Sequence, residues 1–439
     1  MNRARLPVPA AGTKEGRSGP FVASLSPEAG QVGSLGVLAG LDFGTSRESS
    51  SVQFAWTADS EGGPSSGDQS VPQSVSPSEA DLAYELWSDK EIRVRVPDGA
   101  VSGPVYVETG EGRSNAAFFR VAEGPGAKRY SSRSSYSLAA GISVTKVKAS
   151  GANELYLWSP LPISSSSQRL VRVLEELPPP MVGDYRGTAL YRFSNLATGK
   201  TLSIAQSFLV QSFAAEATVD PRAACAPQAD PPALAAAYTE ADALVPAGVP
   251  EIKEAAKKAA GSERGTWRAA RLVWDWLGKN LAWTDRHEHE RPLDALKDRS
   301  ADSYSYAILA CALMRAAGVP TLPVAGYLVA PSRRAVRHWW LEAYVYGVGW
   351  VPLDPVLAAG ASPGGIAPAW EDRTRYFGGV DGRRVAFSRG LTVLAPMTSG
   401  GRRAVKERRW SFQSFYEEAS GALDAYSSFW GDVEVTGMY

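Results

Sequence analysis

The sequence is poor in the residues that most often announce a function. Only two cysteines occur in 439 residues. Cys225 sits in an Ala/Pro-rich stretch and Cys311 inside an apolar helical pattern, which excludes a disulfide framework. There are three histidines. Two fall in the run His287 to Glu290, where residues two apart do not converge on a helix and the flanks are charged, so neither a metal nor any other cofactor is expected. Neither sign of charge dominates, with Lys+Arg and Asp+Glu both 46. No global field therefore recruits nucleic acid or an anionic membrane. No run approaches ~18 uninterrupted apolar residues, so no membrane span is expected. The opening MNRARLPVPAAGTKEGRSGP is basic and rich in Pro, Gly and Ala, without the apolar stretch of a signal peptide. The compartment stays open: exported or periplasmic if a leader has been removed, otherwise cytoplasmic.

At this length one core is too few, and two to four domains are expected. After a loose first 20 residues, residues 21–123 alternate short β-type runs with Gly/Pro turns: FVASLSPEAG, SLGVLAGLDFG, SVQFAWTA, EIRVRVPDG, GPVYVETGEG, NAAFFRV. This spacing predicts an N-terminal immunoglobulin-like β-sandwich. A Ser/Gly/Pro/Gln segment from Ala58 to Ala80 reads as a flexible loop within it. Residues 130–220 hold a second set of alternating runs, among them SVTKVKAS, ELYLWSPLP and ALYRFSN, and read as a β-rich middle domain. From Glu251 the period changes: Trp267, Ala270, Trp274, Leu277 and Leu281 recur at three- and four-residue steps and mark a helix. A second helical pattern, YSYAILACALMRAAG, stops at Gly318 with Pro320 beyond. Strand-like TLPVAGYLVA, HWWLEAYVY and WVPLD follow. Residues 221–360 therefore form an α+β core, and 361–439 an aromatic-rich C-terminal extension expected to pack on it.

The pieces SLSPEAGQVGS, LAGLDFG and VPDGAVSGPVYVETGEGRSN resemble an IPT/TIG domain, which implies a spacer or binding module for the N-terminal region. The stretch ADSYSYAILACALMRAAGVPTLPVAGYLV, followed by RHWWLEAYVYGVGWVPLDP, resembles the core of the transglutaminase-like superfamily, a papain-type fold, from about Glu251 to Val356. The YFGGVDGRRVAFSRG tail is similar to bacterial members. The resemblance puts Ser303 at the position of the nucleophilic cysteine, His338 at that of the base and Asp354 at that of the orienting acid.

A thiol at the first turn of a helix feels unsatisfied N–H groups and the positive end of the dipole, which favour thiolate. A hydroxyl in the same place stays protonated and needs a general base at the moment of attack. The expectation is therefore a pseudoenzyme, its triad degenerate by Ser for Cys, that binds peptide or a cell-envelope polymer in the old cleft. Two alternatives stay open. One is an active acyltransferase or peptidase-type hydrolase using Ser303, His338 and Asp354, and the other is a structural assembly protein. Trp339 and Trp340 point to opposite faces of a regular strand, so one belongs to the core and the other can wall the cleft. Read alone, Ser303 is also a plausible helix N-cap, and Cys311 a buried structural cysteine.

Overall fold

The computed structural model describes residues 19–59, 73–224, 231–287, 291–406 and 409–439. They divide into two units, residues 19–57 with 73–124, and residues 58–59 with those from 125 on. Strand dominates throughout.

The first unit contains two sheets. One has the strand order Phe21–Ser26, Leu35–Leu41, Glu91–Arg95, Tyr84–Trp87. The other is built around Ala117–Val121, Gly103–Thr109 and Ser51–Ala55. Alternate side chains turn inward, as the period of two requires. Val22, Leu38, Val52, Phe54, Ile92, Val94, Val107 and Phe119 are buried, with the Phe54 and Phe119 rings edge to face at 5.9 Å. Part of the segment read as a loop is ordered: Ser74–Val75 pairs with Phe54 and Ala55, and Glu79–Asp81 makes a short 3-10 turn. Residues 60–72 of that segment lie outside the described residues.

The second unit begins with a sheet ordered Gln168–Leu177, Leu202–Val219, Gly126–Pro160, Glu417–Trp430, Arg402–Ala404. Its backbone is the 35-residue strand Gly126–Pro160. The C-terminal residues do not simply rest on the core, because Glu417–Trp430 and Glu434–Met438 both pair with this long strand. Trp430 and Leu423 thereby enter the same apolar cluster as Tyr136, Leu155 and Phe208.

The helical part surrounds Ser303–Ala316, a helix buried on every side from Ser303 through Arg315. Such an all-round apolar helix is stable only as the centre of a core. The helices Pro250–Ala260 and Thr266–Asn280 pack on it through Ile252, Ala256, Trp267, Ala270, Val273 and Leu277. Beyond it lies an antiparallel sheet ordered Gly349–Leu353, Ala335–Val345, Thr321–Val329, Arg384–Arg389. Gly326 faces His338 in the register of this sheet. A Cβ at Gly326 would meet the Val385 carbonyl oxygen at 1.9 Å, so only glycine lets the strands close up beneath the histidine. No helix among the described residues is long and apolar enough to cross a membrane.

Candidate active site

Ser303 is the first residue of its helix. The N-cap is its neighbour Asp302, whose carboxylate accepts from the Ser305 N–H at 2.8 Å. Capping is thus done by Asp302, and the hydroxyl of Ser303 is left for other partners. Its Oγ accepts a hydrogen bond from Trp283 Nε1–H at 3.4 Å. Trp283 belongs to a two-residue strand pairing in parallel with Ser300–Ala301, immediately before the helix. Local chain geometry therefore carries the indole to the serine.

His338 and Asp354 are held together. His338 Nε2 lies 2.8 Å from Asp354 Oδ2, and neither side chain reaches solvent. A carboxylate at that distance holds a ring proton on Nε2. Nδ1 is buried and has no hydrogen-bond partner among the described residues. Asp354 also caps the short helix Pro355–Ala358, its Oδ1 accepting from the Leu357 N–H at 3.0 Å.

The structure brings the serine helix against the histidine strand one residue along from each: the Tyr304 and Trp339 rings meet edge to face at 5.5 Å. Both belong to a buried cluster with Ala307, Ile308, Ala325 and Phe412. No hydrogen bond joins Ser303 to His338.

Trp339 and Trp340 do face opposite sides of the strand. Trp339 joins the helix cluster, whereas the Trp340 ring lies nearly parallel to that of His338, 20° between planes and 6.1 Å between centroids. Both are buried, so neither is an open cleft wall.

The sequence reading missed Arg384. Its Nη2 donates to Asp354 Oδ2 at 2.5 Å, the same oxygen that takes His338, and its Nη1 reaches Asp381 Oδ1 at 2.9 Å. Tyr376 Oη donates to the other Asp381 oxygen at 3.0 Å. The result is a dry chain of His338, Asp354, Arg384, Asp381 and Tyr376. Burial pushes the Asp354 carboxyl up, but the charges of His338 and Arg384 and their hydrogen bonds outweigh it and hold it well below its ordinary value. Burial likewise opposes ionisation of Asp381, and Arg384 followed by Arg383 outweighs it. Asp381 and Arg384 sit in the DGRRVAF segment, where a charged residue in step with apolar ones was the available signal.

Beside Trp283 opens a cavity of about 600 Å³, lined by Trp274, Leu281, Trp283, Tyr306, Pro355 and Gly360 among others. Among the described residues no charged side chain lines it. The remaining candidates lie elsewhere. Cys311 is fully buried, and burial pushes its thiol up to about 12. Cys225 and residues 288–290 are outside the described residues, while His287 Nδ1 stands 3.8 Å from Asp302. Among the described residues no three His, Cys, Asp or Glu side chains cluster as metal ligands.

Residues 253–355 match the model of the Transglutaminase-like superfamily, so the helices and sheet that carry Ser303, His338 and Asp354 form a transglutaminase-like domain. No curated protein matches the sequence. Among solved structures, the chain is similar to the "Putative Cysteine Protease from Cytophaga hutchinsonii", with 15% identity, a TM-score of 0.43, and coverage of 71% of this chain and 91% of that one. It is also similar to the periplasmic domain of TgpA from Pseudomonas aeruginosa, with 15% identity, a TM-score of 0.28, and coverage of 48% and 72%. Neither overlap is close enough to carry an activity across.

Proposed function

We propose that the transglutaminase-like domain is a catalytically silent relative of cysteine acyltransferases and proteases. In this reading Ser303 stands where such enzymes place the nucleophilic cysteine, and the domain holds peptide or a cell-envelope polymer without cleaving it. The observation that carries the reading is the sharing of one Asp354 oxygen between His338 and Arg384. An orienting carboxylate supports catalysis by stabilising the imidazolium that forms when histidine takes a proton. At an effective dielectric of about 20, unit charges 4 Å apart interact by about 4 kcal/mol. A guanidinium on the same oxygen therefore offsets part of that support, its charge being shared with Asp381. A serine needs this support more than a cysteine, because its hydroxyl gives up a proton only to an active base.

The alternative of serine acyl transfer draws on the unpartnered Nδ1 of His338, with Trp283 Nε1–H then serving as a donor to a developing oxyanion. Arg384 counts against it. In the preferred reading the ligand lies in the cavity beside Trp283, whose aromatic, uncharged lining suits a peptide backbone or the face of a neutral sugar. The N-terminal unit would act as an IPT/TIG-like spacer or second binding module.

Titration of the intrinsic tryptophan fluorescence with peptides and peptidoglycan fragments tests this reading. Trp283→Ala is expected to weaken binding more than about tenfold, as truncation of an aromatic anchor does, while Ser303→Ala binds like the parent. Turnover of a peptide or ester by the parent, abolished in Ser303→Ala, would overturn it.

A further inference from the structure

The strand Gln168–Leu177 ends its sheet, with Leu202–Val219 as its one neighbour among the described residues. Its outer side carries an unusual concentration of apolar surface. Four of the thirteen exposed large hydrophobic side chains among the described residues fall within nine positions: Val173 (43% exposed), Leu174 (57%), Leu177 (53%) and Met181 (45%). An exposed apolar sheet edge is a template for another strand.

The register shows which strand fits. Val173 pairs with Phe208 and Glu175 with Ser207, so Leu174 is an extra, bulged residue. The bulge reverses the alternation. Arg172, opposite Leu209, and Glu175, opposite Ser207, consequently lie on one face although they are three residues apart, as do Leu170, opposite Gln211, and Leu177, opposite Ala205. Neither Arg172 nor Glu175 makes an ion pair among the described residues. We propose that this edge pairs antiparallel with the same edge of a second copy, about a two-fold axis between Val173 and Leu174.

That register sets Arg172 opposite the second copy's Glu175 and Leu170 opposite its Leu177, each twice by symmetry. Residues directly opposite in an antiparallel pair must share a face, and the odd spacing between Arg172 and Glu175 meets this condition only because of the bulge. A bulge ordinarily blunts an edge against strangers. Here the two-fold brings the two bulges together, so the edge accepts its twin and discriminates against a regular strand. The Val173 and Leu174 side chains of both copies then cover one another at the axis.

Sedimentation equilibrium of the full chain tests the proposal. The parent is expected to be a reversible dimer. Arg172→Glu places like charges opposite each other twice and is expected to weaken the dimer on the order of tenfold or more, as is Glu175→Arg alone. The double variant Arg172→Glu with Glu175→Arg exchanges the partners and is expected to restore the parent's dissociation constant. Both positions are exposed, and an unchanged thermal unfolding curve shows that each variant still folds. A monomeric parent would overturn the proposal, as would a dimer indifferent to Arg172→Glu, or a double variant no stronger than the singles.

Discussion

Replacing Arg384 with alanine is expected to lower the stability of the second unit by about 3–5 kcal/mol at neutral pH, the usual cost of breaking a buried ion pair from one side. The guanidinium is 3% exposed and serves two carboxylates that are almost wholly inaccessible to water, Asp354 and Asp381. Truncation leaves Asp354 with only His338 and Asp381 with only Arg383. The pH dependence has a definite sign. Both carboxyls are held below their ordinary value of 3.8 in the folded protein. They therefore contribute stability that is present above that value and lost as pH falls through their lowered folded values. Without Arg384, burial is offset less, by His338 and Arg383 alone, and the carboxyls move upward, so the variant recovers part of its deficit as acid protonates them. Denaturant unfolding of parent and variant at pH 7 and near pH 4 is expected to show a clearly smaller difference at the lower pH. An equal difference at both would mean that Arg384 acts through packing on Trp340 and Tyr376 rather than through charge.

The second large effect is expected at the serine itself. Cys311 is buried, and its thiol is pushed up to about 12, so it is almost wholly un-ionised at neutral pH. A thiol introduced by Ser303→Cys occupies the first turn of the helix Ser303–Ala316, where the dipole favours thiolate. With Cys225 replaced by serine in the background, iodoacetamide near neutral pH is expected to modify position 303 more than about a thousandfold faster than Cys311. Adding His338→Ala is expected to slow this reaction, because the imidazole is the other group favouring the thiolate. A thiol at 303 that titrates near ~8.5, like an unperturbed cysteine, would show that the site activates nothing.

Sequence pattern and three-dimensional arrangement agree best where local periodicity and motif order carry the information. The helix containing Ser303 could be read from its continuous apolar content and from Gly318, whose φ of 82° marks the stop. The opposite faces of Trp339 and Trp340 followed from strand alternation. Other features depended on contacts that no local pattern encodes. Asp302 rather than Ser303 caps the helix, a one-residue distinction set by backbone angles. The strand Gly126–Pro160 reads as several short runs because Ser132 and Lys146, both with positive φ, interrupt its alternation. The pairing of the C-terminal strands with it spans nearly three hundred residues of chain, beyond the reach of any window. Arg384 enters the site through the pairing of its strand with Thr321–Val329, where it lies opposite Leu328. Its choice of Asp354 is a product of that register.

The claim that the framework is retained while the serine is silent is tested most directly by exposing the unmodified protein to a serine-directed fluorophosphonate and weighing it intact. With one Asp354 oxygen shared between His338 and Arg384, Ser303 is expected to gain no mass under conditions in which the thiol of Ser303→Cys is fully alkylated. A single adduct mapped to Ser303, and lost on His338→Ala, would contradict the account and establish Ser303 as a working nucleophile.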